Sequence, residues 1–280
     1  MRKVSEDEII KTIKLLVKQA NFTLKKEIKK KIISAEKQET NSDSKKILKI
    51  IFKNLEIAQK EKIPICQDTG MVEVFLKIGN NVHINLKKYS SFQELIDEAI
   101  TQAYTEFFLR KSIVSPIERK NTGTNTPSIL WTEIVKGEKI NIFLILKGFG
   151  SENVTRLKMF NPFSRTEEID NFIIECVKKA GPNACPPFFI GIGIGGTSDK
   201  TVFLSKQALL NSGKTLKTEY FNWEEEIKRK VNKLNIGVCG LGGAITCFDV
   251  KIKSFPTHIA GLPVSVSISC WAHRMAEITI

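Results

Sequence analysis

A cysteine followed at once by an amide and a carboxylate is the feature of this 280-residue chain that most suggests chemistry. Cys66, Gln67 and Asp68 lie in the stretch Ile63–Gly70, at the mouth of an apolar segment. A thiolate can attack a substrate or bind a metal, and a neighbouring carboxylate can accept or release a proton. These residues therefore predict a chemical site, to which other parts of the chain must contribute.

The chain has six cysteines, and none of them forms a close pair such as C-x-x-C. Cysteine is often an ordinary small core residue. Cys176, Cys239 and Cys247 lie in apolar segments that fit this role, and we expect all three to be core residues.

The other three cysteines differ, because each stands beside polar residues in a proline-bearing segment or at the end of a strand. They are Cys66, Cys185 and Cys270. A structural zinc site would more often show ligands paired closely in the sequence. Three dispersed thiolates can instead hold three irons of a cubane cluster and leave the fourth iron without a protein ligand. Such an open metal is a Lewis acid that can bind a hydroxyl group.

The formal charge of +13 raises the question of a nucleic-acid partner. Most of the lysines of the first 62 residues alternate with apolar residues at helical spacing, which is typical of solvated helix faces. No zinc finger, RNA-binding aromatic signature or arginine-rich arm accompanies them. We therefore expect no nucleic-acid partner, with DNA binding through this segment as the less favoured alternative, and a surface that favours anionic substrates.

Neither a membrane span nor a signal peptide is predicted. No run approaches the roughly 20 apolar residues that a membrane helix needs, and the first residues lack an apolar segment. We expect a cytoplasmic protein with no membrane partner, in which disulfides would be rare.

The first 62 residues predict three helices that lead to the cysteine. Ser5 and Glu8 form a capping-box pattern before a helix over residues 6–20. A second helix is predicted over Thr23–Glu36 and a third from a polar loop to about Lys60. The chain as a whole predicts one α+β domain over residues 1–280, with a helical lead-in (1–62) and mixed sheets flanked by helices (63–280).

Two β-hairpins are predicted farther along. The first joins residues 72–78 to 82–86 across a Gly-Asn-Asn turn, and the second joins 129–135 to 139–146. Between them, Ser91 opens a helix predicted to reach about Arg110. The polar loop Glu118–Pro127 that follows is either a solvated connection or a ligand-binding loop.

The second half of the chain contains the stretch Gly191–Gly196, which formally matches the dinucleotide pattern G-x-G-x-x-G. The acidic residue expected about 20 positions later is missing, since Leu210–Thr218 carries none, so a dinucleotide fold is disfavoured. A helix over Thr166–Ala180 should end at Gly181. Residues 264–269 alternate apolar and polar as a half-buried strand does.

Several long stretches together resemble the alpha subunit of the class I iron–sulfur fumarate hydratases and of the related L(+)-tartrate dehydratases. The resemblance runs from about residue 45 to the end of the chain. It is carried by Ile63–Gly70, Arg119–Pro127, Gly148–Asn153, Ala184–Lys200, Gly240–Gly243 and Thr257–Cys270.

The resemblance implies that Cys66, Cys185 and Cys270 bind a [4Fe-4S] cluster. It also implies reversible hydration of fumarate to malate, or of a related dicarboxylate, with the open iron holding substrate oxygens. Removing a proton next to a carboxylate creates an anionic transition state, so cations and hydrogen-bond donors should surround the substrate.

On this resemblance each polar candidate receives a role, and most also have a structural explanation. Asp68 and His258 are the catalytic candidates, and Gln67, Arg110 and Gly150 would contact the substrate. Asp68 could instead cap a turn before a glycine. Arg110 could instead be a cation at a helix C-terminus, where the helix dipole stabilises positive charge. His258 could be a structural histidine.

Two departures from the family pattern bear on the prediction. Phe149 stands where the family pattern Gly-Gly-Gly-Ser-Glu-Asn has glycine. The sequence ends ten residues after Cys270, which on the resemblance implies a separate beta subunit and a dimer of alpha–beta pairs. The alternatives are an L(+)-tartrate dehydratase alpha subunit and a regulatory protein that binds a cluster or metal without turnover.

Overall fold

A computed structural model describes residues 1–214 and 218–280. The chain divides into two compact units. The first unit comprises Met1–Lys25, Leu55–Gly148 and Arg274–Ile280, and the second comprises Lys26–Asn54 and Phe149–His273. The organisation as a single domain over 1–280 stays a prediction. No helix in the described part of the chain is long and apolar enough to span a bilayer.

The first unit is built on a four-stranded mixed sheet in the order β10-β5-β2-β4. β2 is parallel to β4 and antiparallel to β5, and β5 is antiparallel to β10. The last strand, β10, was not predicted from the sequence. The strands are β2 (Met71–Gly79), β4 (Ile129–Val135), β5 (Ile140–Lys147) and β10 (Arg274–Thr279).

Both hairpin predictions are wrong, although their strands exist. β3 (Val82–Asn85) follows β2 but pairs in parallel with β1 (Arg2–Ser5), a strand that the sequence did not predict. β4 and β5 are neighbours in the sequence, yet β2 lies between them. Because β2 and β5 carry almost entirely apolar inner faces, packing against the helices decides their order, and local turn chemistry does not.

Two helices cover the apolar face of this sheet. α1 (Glu6–Phe22) and α4 (Phe92–Glu106) bury Ile13, Leu16 and Ile100 against the strands. Both helices begin at a serine cap as predicted, with Glu8 N–H donating to Ser5 Oγ at 3.2 Å and Glu94 N–H donating to Ser91 Oγ at 3.1 Å. Capping by serine satisfies a backbone donor that the first helical turn leaves without a partner.

The second unit has a four-stranded sheet in the order β6-β9-β7-β8. β7 is parallel to β8 and antiparallel to β9. The strands are β6 (Arg156–Phe160), β7 (Phe188–Gly195), β8 (Cys247–Phe255) and β9 (Leu262–Ser269). The helices are α2 (Lys26–Gln38), α3 (Ser42–Glu61), α5 (Phe149–Glu152), α6 (Thr166–Ala180), α7 (Ser198–Leu209) and α8 (Phe221–Asn232), of which α3 continues into the first unit.

The glycines of β7 serve close packing of a helix on the sheet. A Cβ on Gly191 would lie 2.1 Å from the carbonyl oxygen of Ser205, and one on Gly193 would lie 2.0 Å from that of Thr201. Only glycine lets α7 approach β7 this closely. The disfavoured dinucleotide pattern therefore has a packing explanation. Within Leu210–Thr218, residues 215–217 lie outside the described part of the chain.

The alternating strand β9 is buried on both faces, so the prediction of a half-buried strand is wrong. Its apolar side chains, such as Val266, belong to the core under α6 and α8. Its serines face α7, where Ser205 Oγ lies 2.8 Å from Ser267 Oγ. The period-2 pattern correctly predicts a strand, but hydroxyl groups on a covering helix take the place that water was expected to have.

The other helical predictions are confirmed within a few residues. The three lead-in helices correspond to α1, α2 and α3, and α6 ends at Gly181, whose φ is 49°. Together with the two mixed sheets, these helices confirm the α+β class.

Candidate functional site

The segment Cys66–Gly70 forms a turn between the end of α3 and the start of β2. Gln67 is exposed, whereas Cys66 and Asp68 are half-buried. The Gly70 N–H donates to Asp68 Oδ1 at 3.0 Å, which is the turn-capping contact predicted as the structural alternative. This bond fixes one oxygen of the carboxylate relative to the backbone of the turn.

Two fully buried side chains donate hydrogen bonds to the backbone of this turn. The Tyr104 hydroxyl donates to the carbonyl oxygens of Thr69 at 3.1 Å and Gly70 at 3.2 Å. Asn125 Nδ2 donates to the same Gly70 carbonyl at 3.2 Å. Burial raises the pKa of the Tyr104 phenol to about 12, so the hydroxyl keeps its proton and remains a donor.

The polar loop that precedes β4 is tied to this turn. Asn125 Oδ1 accepts from the Ser112 N–H at 2.8 Å, so one buried amide connects both ends of the loop to Gly70. Thr69 Oγ1 donates to the Arg110 carbonyl at 2.6 Å. Residues 118–123 of this loop are exposed whereas Asn125 is fully buried, so a solvated connection and a ligand-binding loop both remain predictions.

Arg110 does not lie at a helix terminus. α4 ends at Glu106, four residues earlier than predicted, and Phe108 adopts a left-handed backbone with a φ of 52°. The helix-dipole explanation for this arginine therefore fails, because the dipole acts only within the last turn. The Arg110 residue is exposed, and its backbone is bonded to the turn that carries Asp68.

The segment after β5 contributes a glycine in each unit. At Gly148 a Cβ would lie 2.9 Å from Asp68 Oδ2, so a side chain there would displace the carboxylate. Phe149 is half exposed and begins the one-turn helix α5. Gly150 is exposed within α5, and a Cβ there would lie 3.4 Å from the carbonyl oxygen of Asn183, two residues before Cys185.

Two of the predicted cluster cysteines lie in adjacent segments of the second unit. Cys185 is exposed and has a left-handed backbone, with φ 53° and ψ 67°. The Trp271 N–H, next to Cys270, donates to the Cys185 carbonyl at 3.2 Å. This bond holds the second and third cysteine segments side by side. Cys66 belongs to the first unit.

Cys239 is exposed, so the prediction that it is a core residue is wrong. Its N–H donates to the Pro186 carbonyl at 3.0 Å, which brings it next to the Cys185 segment. Although the residue is exposed, partial burial of its thiol raises the pKa of Cys239, and the nearby Cys185 raises it further. Cys176 and Cys247 are buried as predicted, and burial raises their pKa to about 11 and about 12.

The turn that carries Cys239 is held by a buried carboxylate. Glu39, in the link between α2 and α3, accepts hydrogen bonds from the N–H groups of Thr40, Asn41, Ala244 and Ile245. Burial alone would raise the pKa of Glu39, but these donors outweigh it and hold the pKa below its ordinary value. Glu39 thus anchors the chain just after the glycine turn Gly240–Gly243.

The two histidines near the end of the chain have different surroundings. His258 is exposed, and its Nδ1 accepts from the Ala260 N–H at 3.2 Å. In the neutral ring this leaves the proton on Nε2, so His258 presents a hydrogen-bond donor outward. His273 is fully buried, lies between Ser269 and the Leu209 carbonyl, and stacks on Phe189. His273 is not among the candidates predicted from the sequence, and its enclosed position fits a structural role.

The structure therefore gathers the candidates into two sets. Gln67, Asp68 and Arg110 share the turn of the first unit, while Cys185, Cys270 and Gly150 lie around the 181–185 segment of the second unit. Among residues 1–214 and 218–280, no three His, Cys, Asp or Glu side chains form a group that would hold a single metal ion.

The sequence analysis missed four residues that support or adjoin these sets. Asn125 carried the one usable signal, because an asparagine between threonines and before a proline can adopt the left-handed backbone that it has here. Tyr104 and Arg274 resembled ordinary helix and strand residues, and Cys239 was hidden among glycines and apolar neighbours.

Comparison with known proteins gives a consistent result. A family model described as Fumarate hydratase (Fumerase) matches residues 10–279. A protein of Methanocaldococcus jannaschii named "Putative L(+)-tartrate dehydratase subunit alpha" is 41% identical over 269 residues, which cover 93% of each chain. The "L(+)-tartrate dehydratase subunit alpha" of Escherichia coli K12 is 28% identical over 273 residues, covering 93% of this chain and 89% of that one.

Proposed function

The chain belongs to the fumarate hydratase family, and on that premise we propose that it is the alpha subunit of a hydro-lyase that interconverts fumarate and malate. The observation that carries the proposal is the turn at Cys66–Gly70, where buried side chains fix a half-exposed carboxylate next to a thiol and an exposed amide. Such rigid support of a partly exposed polar group is what a site that moves a proton requires.

We propose that Cys66, Cys185 and Cys270 hold a [4Fe-4S] cluster. Thiolates are the usual ligands of such clusters. The bond from Trp271 to Cys185 keeps two of the three thiol segments adjacent, and the exposed Cys185 suits a ligand that must reach a cofactor. When bound, the cluster would supply an open iron that acts as a Lewis acid toward substrate oxygens.

The polar residues would then have separate roles in binding and converting a dicarboxylate. Asp68 would take or return the proton, with the Gly70 N–H holding its carboxylate in place. Gln67 would donate a hydrogen bond, and Arg110 would clamp a carboxylate with two parallel bonds. His258 would contribute the Nε2 proton as a donor, and Gly150 a backbone N–H, to the developing negative charge.

A separate beta subunit would complete the site. This part of the proposal is supported by the names of the relatives, which are called alpha subunits. We further propose a dimer of alpha–beta pairs in the cytoplasm, in line with the sequence resemblance.

The second candidate activity is dehydration of L(+)-tartrate, and the names of the same relatives favour it. Tartrate differs from malate by one hydroxyl group. A site that hydrogen-bonds this group can reject the analogue that lacks it by several orders of magnitude, so direct comparison of the two substrates is informative. The non-catalytic alternative is a regulatory protein that binds a cluster or metal without turnover.

The test is anaerobic reconstitution of this chain together with its candidate beta subunit, followed by iron counting and assays with fumarate, malate and L(+)-tartrate. We expect about four irons per alpha chain and turnover of the fumarate–malate pair. Asp68→Asn should keep the iron and lose at least a hundredfold in kcat, roughly the share of a general acid or base. Asp43→Asn, an exposed carboxylate on α3, is the matched control and should change neither.

Cys66→Ser addresses the cluster, with Cys176→Ser as a control that alters a buried cysteine outside the proposed ligand set. Complete iron loading of the Cys66 variant would contradict the ligand assignment. Turnover of tartrate alone would replace the fumarate proposal by the second candidate. An intact, iron-loaded complex inactive toward all three compounds would favour the regulatory alternative.

A further inference from the structure

Arg274, the first residue of β10, is a cation in an unusual position. Its side chain is only 2% exposed and is among the largest fully enclosed side chains of the described residues. Arg274 is paired with Leu146 in the register of β10 and β5, so its side chain lies on the face of the sheet that packs against α1. A buried guanidinium requires compensation, because removing it from water without a partner is costly.

The described residues give Arg274 little direct compensation. Nη1 donates to Asn21 Oδ1 at 3.4 Å, near the long limit for such a bond. Nε is buried and has no hydrogen-bond partner. A fully enclosed cation of this kind is typical of a group that acts on nearby charge.

A candidate for that charge is the carboxylate of Asp68. At the position where a Cβ on Gly148 would stand, Asp68 Oδ2 is 2.9 Å away and Arg274 Nη2 is 3.8 Å away. Both charged groups therefore face the space that a side chain on residue 148 would occupy. Opposite charges near one another attract more strongly where one of them is buried, since less water screens them.

We propose that Arg274 is a positioning residue for Asp68, an inference that rests on the proposed function. The Gly70 N–H fixes Oδ1, and the guanidinium draws Oδ2 across Gly148, so that two points define the plane of the carboxylate. Arg274 touches no substrate in this arrangement. It acts by keeping Asp68 in the one orientation that serves the reaction.

The experiment uses the reconstituted complex of both subunits with Arg274→Met and Arg274→Lys. Methionine keeps much of the buried volume and removes the charge. We expect Arg274→Met to lower kcat by roughly 10- to 100-fold, the usual effect of misplacing a reacting group, with unchanged KM and iron content. Arg274→Lys should recover part of the loss, because it restores the charge.

Asn21→Ala is the matched control. It removes the hydrogen-bond acceptor of Arg274 but leaves the guanidinium beside Asp68. If the arginine only fills space between β10 and α1, Asn21→Ala and Arg274→Lys should both change stability while kcat stays the same in all variants. That result would overturn the proposal, as would a rise in KM that accounts for the whole loss.

Crystal structures of the wild-type chain and of Arg274→Met separate this inference from the proposed function, because they need no turnover. We expect Asp68 to leave the Gly70 N–H in the variant. An unmoved carboxylate would refute positioning by Arg274 even in an active enzyme. If Arg274→Met does not fold, the same comparison is made with Arg274→Lys, in which the shorter reach of the ammonium should shift Asp68 Oδ2. Inactivity of the wild-type complex with an oriented Asp68 would refute only the hydro-lyase proposal.

Discussion

The first cysteine segment and the other two are held in place by different kinds of bonds. In the first unit, the turn at Cys66–Gly70 depends on side chains from elsewhere, chiefly Tyr104 and Asn125. In the second unit, the Cys185 segment is fixed mainly by backbone bonds, from Trp271 to Cys185 and from Cys239 to Pro186. The two regions present thiols of the same proposed cluster, yet they are stabilised in unlike ways.

The difference has a consequence for mutation. A turn supported by side chains is weakened by removing a hydroxyl or an amide, whereas a turn supported by backbone bonds is weakened by adding atoms where the backbones touch. Glycines are accordingly dense in the second unit, and five residues of the stretch 237–243 have positive φ angles. Four of those five are glycines, which adopt this conformation at little steric cost. The following predictions test the contrast.

The largest effect is expected for Gly237→Ala. A Cβ at Gly237 would lie 1.8 Å from the carbonyl oxygen of Gly242, and φ is 71°, so the substitution causes both a clash and strain. We expect a loss of about 3 kcal/mol or more in the free energy of unfolding, from overpacking and backbone strain together. Urea unfolding followed by circular dichroism measures it.

Gly181→Ala is the control for that experiment. Gly181 also has a positive φ, 49°, but a Cβ there would meet no atom within 4 Å. Its ψ of −147° is also unfavourable for other residues, so we expect a loss of roughly 1 to 3 kcal/mol from strain, without the clash that Gly237→Ala adds. Equal losses for both variants would mean that backbone contact does not stabilise the turn.

In the first unit, Asn125→Ala should have the next largest effect. It removes the donor to Gly70 and the acceptor of Ser112, both in a fully buried place. We expect about 2 kcal/mol of destabilisation, since buried partners lose their bonds, and Tyr104→Phe should cost about 1 kcal/mol for the same reason. Thermal unfolding gives the stability. Variants as stable as the wild type would show that these bonds do not support the turn.

A smaller effect with a defined pH dependence is expected for Glu39→Gln, which removes the charge from one of the side chains that hold the glycine turn of the second unit. The folded chain holds the pKa of Glu39 below its ordinary value of 4.5. The stabilisation is therefore present above about pH 4.5 and is lost as the pH falls through the folded pKa. We expect a difference of about 1 kcal/mol at pH 7.

That difference should shrink in acid and be measured by urea unfolding at pH 7 and at pH 3. Glu36→Gln, one turn earlier on α2, is the matched control, because it removes a carboxylate that bonds none of these N–H groups. A pH-independent difference for Glu39→Gln would mean that the charge of the carboxylate is not what binds the N–H groups of the turn.

The smallest effect is expected for Cys239→Ser, which should leave stability unchanged because the residue is exposed. Cys239 is exposed as a residue whereas Cys247 is buried, so their thiols should differ in reactivity. Iodoacetamide should label Cys239 well before Cys247, whose thiol is buried and has its pKa raised to about 12. Peptide mass spectrometry at successive times measures the order. Equal labelling would show that the turn opens freely.

Local signals in the sequence predicted the elements well and their partners poorly. The serine caps at Ser5 and Ser91 and the glycine after α6 located helix ends, because capping depends on a few neighbouring residues. The order of the strands depends on which apolar faces meet across long distances, so β2 could not be placed between β4 and β5. The alternation in β9 likewise did not indicate that α7 would cover its serines.

The candidate site shows the same contrast between local sequence signals and long-range contacts. Gln67, Asp68 and the three cysteines of the proposed cluster could be selected because their types and neighbours are suggestive on their own. Tyr104 and Asn125 could not, since their importance arises only when distant segments meet at Gly70. Arg274 could not be selected either, because the sequence does not show that its guanidinium and the Asp68 carboxylate face the same space at Gly148.

The pairing of β10 with β5 has a consequence for how the chain is made. The first unit combines three separate stretches of sequence, and its sheet is finished only by residues 274–279. During synthesis, the edge of β5 that pairs with β10 stays unpaired until more than a hundred further residues have been added. Exposed edges of this kind favour association with other chains. Newly made protein should therefore depend on chaperones until its last strand emerges, and the same strand delivers Arg274.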